Sequence, residues 1–442
     1  MKAAFYRSRA GLVALGCSAL VGLAGCSERE VILPGVREDI RPNQADALEV
    51  ENRSQAIRLS SQSRNASWPQ SPGMPVYRTD NAALSAAPRL LWSTSIGEGD
   101  GRRQRITASP VVGGGLIYTL DASSTISAVS PSGQRVWQAT ILPPQDGDGE
   151  ATGGGIAFHK GTLYVSSGFG VLTAFDAKSG AQRWRQELEA TGSGTPTVVD
   201  NFVYLIAGDD TGWAINADNG RILWQVTATP SAANVLGAPA PVVASELAVF
   251  SFGSGDVVAT FKRGGLRRWD ASVSGRRIGS ASARILDVTG SPMIVGNKIV
   301  TGNHSGRTVA MDSVTGQRIW TQHEGALGPL WPAGDSLFSV TDTNYLARLA
   351  QSDGEVIWKV ELPGFVKNKP RKRSEIVAHY GPIVAGGQVV LASNDGLLRF
   401  FKPEDGSLVR SIEVPDGATT APVVAGGTLY VVSTKGELHA FR

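Results

Sequence analysis

Cysteine is almost absent: the 442 residues contain two, Cys17 and Cys26. Two cysteines cannot build the disulfide framework of a small secreted domain, and they match no zinc-ligand spacing. Helical periodicity is missing as well. No long window sustains apolar residues at i, i+3, i+4 and i+7, which argues against a helical bundle. The charge balance is slight, 42 Lys+Arg against 39 Asp+Glu, so the basic excess of a nucleic-acid-binding surface is lacking. The five histidines, His159, His304, His323, His379 and His439, are scattered without metal spacing and read as surface or blade-edge residues. Gly153-Gly154-Gly155 precedes a strand pattern rather than a helix, unlike a phosphate loop, and the acidic stretch 146–150 lacks calcium-loop spacing. Glycine, in contrast, is in excess. There are 53, about 12 % of the chain, against an ordinary ~7 %. With no collagen period, that excess predicts many tight turns. A hydrophobic fraction of 42 % is enough for a large core and excludes wholesale disorder.

The first 25 residues read as an address. Lys2, Arg7 and Arg9 form a positive start, and residues 10–24 are apolar or small, the pattern of a secretory leader. This apolar run is shorter than the ~20 residues a membrane span needs. Leu23-Ala24-Gly25-Cys26 closes the run and resembles the lipobox of bacterial lipoproteins, in which the leader is cut before the cysteine and lipid is attached to it. Cleavage would remove Cys17 and three basic residues, leaving 39 charges of each sign. Residue 27 is Ser rather than Asp, which by the same resemblance favours the outer membrane over the inner one. Residues 26–86 are polar and aperiodic and read as a lipidated, flexible tether.

From residue 87 to 442 the chain repeats itself. A glycine followed four residues later by tryptophan recurs as Gly133…Trp137, Gly180…Trp184, Gly220…Trp224, Gly265…Trp269, Gly316…Trp320 and Gly354…Trp358. Gly406…Arg410 is a copy with arginine in place of tryptophan, and Pro88…Trp92 is a copy without the glycine. Successive positions are about 45 residues apart, the length of a four-stranded propeller blade. Residues 195–226 show the unit: four short strands broken by Asp200-Asn201, residues 208–211 and Asp218-Asn219-Gly220. Such turns need the positive φ that Asn and Gly tolerate. Asp176 and Asp312, at matching places before the glycine, are expected to cap it.

A run of short strands leaves exposed edges unless the array closes on itself. The last copy, residues 421–442, supplies only three strands, and the fourth is available at the front, in residues 89–96. The expected fold is therefore all-β: an eight-bladed propeller of four-stranded antiparallel blades, with an N-terminal strand completing the C-terminal blade. Trp92, Trp137, Trp184, Trp224, Trp269, Trp320 and Trp358 are expected to wedge between neighbouring blades, each burying up to ~200 Å².

The pattern Ala-x-Asp-x-x-[Ser/Thr]-Gly-x-x-x-Trp, as in residues 174–184 and 310–320, is similar to the tryptophan-docking motif of quinoprotein-type eight-bladed propellers. Two functional families share that architecture: PQQ-dependent alcohol dehydrogenases and the BamB family of outer-membrane assembly lipoproteins. The dehydrogenase resemblance would imply a vicinal Cys-Cys disulfide and a Ca²⁺ held by carboxylates. The mature chain has no such cysteines. Its inner-strand positions read Ser109-Pro110, Thr195-Pro196 and Ala240-Pro241, without clustered acids. The BamB resemblance implies no catalytic residues, no cofactor and no metal. It implies a scaffold bound to the POTRA domains of BamA and to other subunits of the barrel-assembly (BAM) complex, and contacts with unfolded outer-membrane proteins. A third alternative is another periplasmic binding propeller, for peptidoglycan or a different lipoprotein.

Loop lengths point to where a partner docks. The long insertions, 270–290 and 361–380, both connect one blade's fourth strand to the next blade's first, on one face of the ring. Long loops on a rigid scaffold usually carry binding. The BamB resemblance narrows the site to 231–239 and 284–292. Family apolar contacts map to Ala233 and Val235, and a basic contact maps to Leu236, which cannot supply the charge. In the second connection, which begins at Arg284, family acidic contacts map to Asp287 and to Thr289. An apolar contact through Val235 and Leu236 with an anchoring carboxylate at Asp287 is the expected mechanism. Residues 367–373 carry five cations and read as a solvated loop, or as a contact for a membrane surface or an acidic partner.

Overall fold

A computed structural model of the chain describes residues 51–442 apart from 148, 191–193, 231–237, 274, 276, 278–286 and 368. Its sheets are eight, each of four antiparallel strands. The third blade is typical: Thr197–Val199, Phe202–Ile206, Thr211–Asn216 and Ile222–Thr227 run from the centre outward. Its second and third strands are buried at almost every position, because a blade is packed on both faces by its neighbours. The fourth strand alternates exposed and half-buried residues, as the outer wall of the ring must.

Closure follows the expectation. Leu90–Ser95 pairs antiparallel with Glu437–Phe441, with Trp92 opposite Ala440 and Ser93 opposite His439. The first strand thus becomes the outer strand of the last blade. Arg89 and Arg442 add two backbone bonds at the seam, 2.8 and 2.9 Å.

The pairing of third and fourth strands is irregular at the same place in every blade, for instance between Ala174 and Phe175 and between Ala214 and Ile215. Such a bulge re-aims the residues beside it, and here it lies next to the tryptophan. Each tryptophan packs on the turn glycine of the following blade. A Cβ built on Gly180 (φ +74°) would lie 2.7 Å from the Trp137 ring, and on Gly220 (φ +74°) 2.6 Å from Trp184. Glycine is therefore required twice over, by the left-handed backbone and by the close approach. The indole nitrogens donate to carbonyls of that next blade: Trp92 to Pro131, Trp137 to Ala177, Trp184 to Ala217, Trp224 to Lys262, Trp320 to Gln351 and Trp358 to Pro403, at 2.9–3.3 Å. Trp269 packs against Gly316 in the same way but has no acceptor for its nitrogen among the described residues. Arg410 follows the pattern by other means, with its guanidinium 4.7 Å from the Phe400 ring and bonded to Gln388. Its neighbour in the ring is the seam, where two chain ends meet and no glycine turn exists.

The tether expectation needs correction for residues 51–86. They form an ordered strap. Arg53 N donates to Ile357 O (3.0 Å), Trp68 and Val112 exchange two backbone bonds (2.8 Å each), and Ile294 N donates to Gly73 O (2.8 Å). Gln70 imitates a strand, accepting from Val198 N (2.7 Å) and donating to Val198 O (3.0 Å). Trp68 stacks on Trp331 with centroids 5.6 Å apart. The strap's partners are mostly the inner strands, whose edges line the channel and would otherwise leave backbone groups unpaired. Polarity without periodicity suggested a loose tether; in fact its polar side chains and its backbone serve these edges.

Candidate partner-binding surface

In each blade the first-to-second and third-to-fourth turns lie on one face, the turn face. The second-to-third turns and the blade-to-blade connections lie on the other, the connection face. Ala233, Val235, Leu236 and Arg284, with Cys26, fall outside the described residues. Asp287 and Thr289 lie inside them, and both need correction as outward contacts. Asp287 is only 5 % exposed, and its backbone carbonyl accepts from His304 N (3.0 Å). Thr289 is half-buried and donates its hydroxyl to Ala326 O at 2.5 Å. The second connection dives into the ring just before its blade begins, held there by the Asp287 backbone carbonyl and the Thr289 hydroxyl.

The flank of that connection carries an ion network that sequence reasoning missed. Arg277 reaches across to Glu324 (3.2 Å) and Asp342 (3.1 Å), and Lys359 meets Glu324 at 3.1 Å. Asp342 also accepts from Gly325 N (2.7 Å) and Glu324 from Thr343 Oγ1 (3.2 Å). Burial alone would lower the Arg277 guanidinium, but the bonded Asp342 and Glu324 outweigh it and raise the pKa. The guanidinium is thus fixed as a cation that joins one connection to the next two blades. Its members lie at 277, 324, 342 and 359, a spacing without any local sequence signal.

The channel is the place to test a quinone or its calcium. The strap closes it near the turn face, leaving a cavity of 190 Å³ lined by Ser109, Pro110, Thr195, Ser291, Pro382 and Pro422 among others, with Trp68 and Trp331 beneath. Among the described residues no carboxylate lines it. A wider hollow of 540 Å³ at the connection face includes Asp100, but that carboxylate is committed to Ile106 N and Thr419 Oγ1, both at 2.8 Å. A hard cation needs six to eight oxygens, several from carboxylates. The donor set does not fit PQQ with Ca²⁺.

His439 corrects another expectation: it is fully buried, with Nδ1 2.7 Å from Ser93 Oγ at the seam. The tryptophans also have partners that were missed. Tyr118, Tyr164 and Tyr204, from the second strands, donate to the same carbonyls as Trp137, Trp184 and Trp224, at 3.0, 3.2 and 2.9 Å. Burial pushes the Tyr118 phenol up to about 12, so it remains a donor at physiological pH. A tyrosine at one fixed place in the second strand was the available signal.

A sequence model of the family described as outer membrane protein assembly factor BamB matches residues 122–360 and 344–442. The chain belongs to the BamB family. Curated relatives agree: BamB of Shewanella oneidensis is 26 % identical over 377 residues, 82 % of this chain and 91 % of the relative. BamB of Escherichia coli is 23 % identical over 361 residues, 80 % and 88 % of the two chains. Among solved structures, BamB from Moraxella catarrhalis superposes with a TM-score of 0.66 at 16 % identity, covering 80 % of this chain and 100 % of that one. A quinohemoprotein alcohol dehydrogenase from Comamonas testosteroni reaches 0.62 at 15 %, covering 86 % and 81 %. At such identities the two structures speak for the fold, which both functional classes share. The channel chemistry and the family match separate them, both on the BamB side.

Proposed function

We propose that the protein is a non-catalytic scaffold of outer-membrane β-barrel assembly, held by lipid on Cys26 at the periplasmic face of the outer membrane. It docks the POTRA domains of BamA through the connections at 231–239 and 284–292, in the company of the other subunits of the BAM complex. The observation that carries this reading is the pairing of family membership with a channel floored by the strap whose described lining lacks the carboxylate set a quinone's calcium would need. A ring locked by its own first strand and floored by its own strap is suited to presenting surface loops in fixed positions. Val235 and Leu236 supply the apolar contact, with Ala233 and Arg284 as further contact residues. Asp287 and Thr289 act from beneath, holding the second connection in place.

The test is calorimetry of the purified propeller against the POTRA domains. Val235→Arg places a charge in a desolvated contact and is expected to weaken binding at least tenfold, about 1.4 kcal/mol or more, with an unchanged circular dichroism spectrum. Equal affinity of parent and variant would sink this docking site.

A further inference from the structure

The blade 6 to blade 7 connection is the one long loop the assembly reading leaves without a task. It is a stiffened hairpin. Phe365 and Ile376 form an antiparallel bridge, Val366 N donates to Glu375 O (3.0 Å) and Val377 N to Gly364 O (3.1 Å). A short 3-10 turn, Pro370–Lys372, shapes the tip. Lys367, Lys369, Arg371, Lys372 and Arg373 are all exposed. The first four have no ion-pair partner among the described residues, and Arg373 lies over the Phe365 ring, 5.2 Å from its centroid. Val366 and Ile376, at the neck, are 52 % and 66 % exposed. Arg105, from the connection entering the first blade, lines the same hollow as Val366 and Ile376, and Arg102 and Arg103 beside it are exposed too. Three acids line the hollow, Glu375, Asp395 and Asp416, and Asp395 is held by Arg399. The tip, 367–373, carries five cations and no acid.

The strap shows what this tip faces. Gln55 N donates to Glu404 O on the turn face, Arg53 N to Ile357 O, and Asn52 brackets Lys359, donating to its carbonyl and accepting from its N–H, both at 2.9 Å. The numbers fall on the strap as they rise on the strand. Glu51, where the described strap begins, therefore marks an exit on the outer wall near Glu361, the point from which the cationic hairpin springs. The 24 residues between Cys26 and Glu51 hold the anchor within at most about 85 Å of that exit. The anchor's exit and the hairpin share one rim of the connection face.

We propose that residues 364–377, with Arg102, Arg103 and Arg105, form a membrane-contact patch that binds anionic phospholipid headgroups, with Val366 and Ile376 entering the interface. Clustered cations beside an anchor gain from the negative surface potential of such lipids, and apolar neighbours add burial. The placement argument rests on Cys26 carrying the anchor; the test does not. The chain from residue 26 onward with Cys26→Ser, which cannot be acylated, is floated with vesicles of phosphatidylcholine, with and without phosphatidylglycerol. The expected result is co-flotation with the anionic vesicles alone, lost at high salt. Replacing Lys367, Lys369, Arg371, Lys372 and Arg373 together with Gln should lower the partition coefficient by about a hundredfold, at roughly fivefold for each of three cations in contact at once. An unchanged thermal melt shows that the fold has survived. Equal flotation of parent and variant, equal flotation with neutral vesicles, or no flotation of the parent overturns the patch. Any of these outcomes leaves POTRA binding through Val235, measured separately, where it stood.

Discussion

At the residue scale the ring is held by a small, repeated contact: an indole on a glycine, a nitrogen on a carbonyl, and in three blades a tyrosine hydroxyl on that same carbonyl. Truncating such a tryptophan to alanine costs on the order of 3–5 kcal/mol, so seven of them make the blade interfaces stiff. The seam carries a different residue-scale feature. Burial lowers the pKa of His439, and Glu437 opposes this only partly. A lowered folded-state pKa means the unfolded chain takes the proton more readily. Stability is then fully present above the unfolded value of about 6.5 and is lost as pH falls through it toward the folded value. Urea midpoints measured across that range should decline with acid in the parent. His439→Gln should decline less steeply, and parallel declines would remove His439 from the account. The tryptophan and glycine positions were legible because the repeat prints them at a period. The burial of His439 was not, because a lone histidine in a strand packed on both faces, Glu437–Phe441, carries no signal that sets it apart from one at a blade edge.

At the element scale the strap is the main departure from expectation. Arg348 shows how it is fastened. Fully buried, it donates to Ser336 Oγ (2.8 Å), Gln55 O (2.6 Å) and Pro403 O (3.2 Å), with Ala56 O at 3.4 Å. One guanidinium thus joins the strap to two blades. Arg348→Met keeps the stem and leaves these acceptors unpaired. The loss should be about 2–4 kcal/mol, with amide exchange quickening over 53–70 before it does in the blades. Exchange that stays uniform would show that the strap is not fastened there. None of this is visible along the chain, since the strap contacts join residues tens to hundreds of positions apart. The strands themselves were legible from turn residues and alternation. The two connections chosen for docking were legible only as places: at 287 and 289, residue types suited to contact proved to be buried or bonded inward.

At the scale of the whole molecule, closure decides what the protein can do. The eight sheets close into a ring on the first strand, and the strap pairs several of their inner edges and floors the channel that a quinoprotein would use. What is left for function is the outside, divided between a turn face occupied by strap and glycine ledges and a connection face carrying the long loops. Fold and family do not by themselves say which face grips the partner. Photo-crosslinking in intact cells does: one reactive residue placed at Val235, between the third and fourth blades in sequence, another at Lys178 in an exposed turn of the turn face. The account predicts an adduct with the POTRA-bearing barrel from position 235 and none from position 178. An adduct from 178 alone, or from neither position, would contradict it.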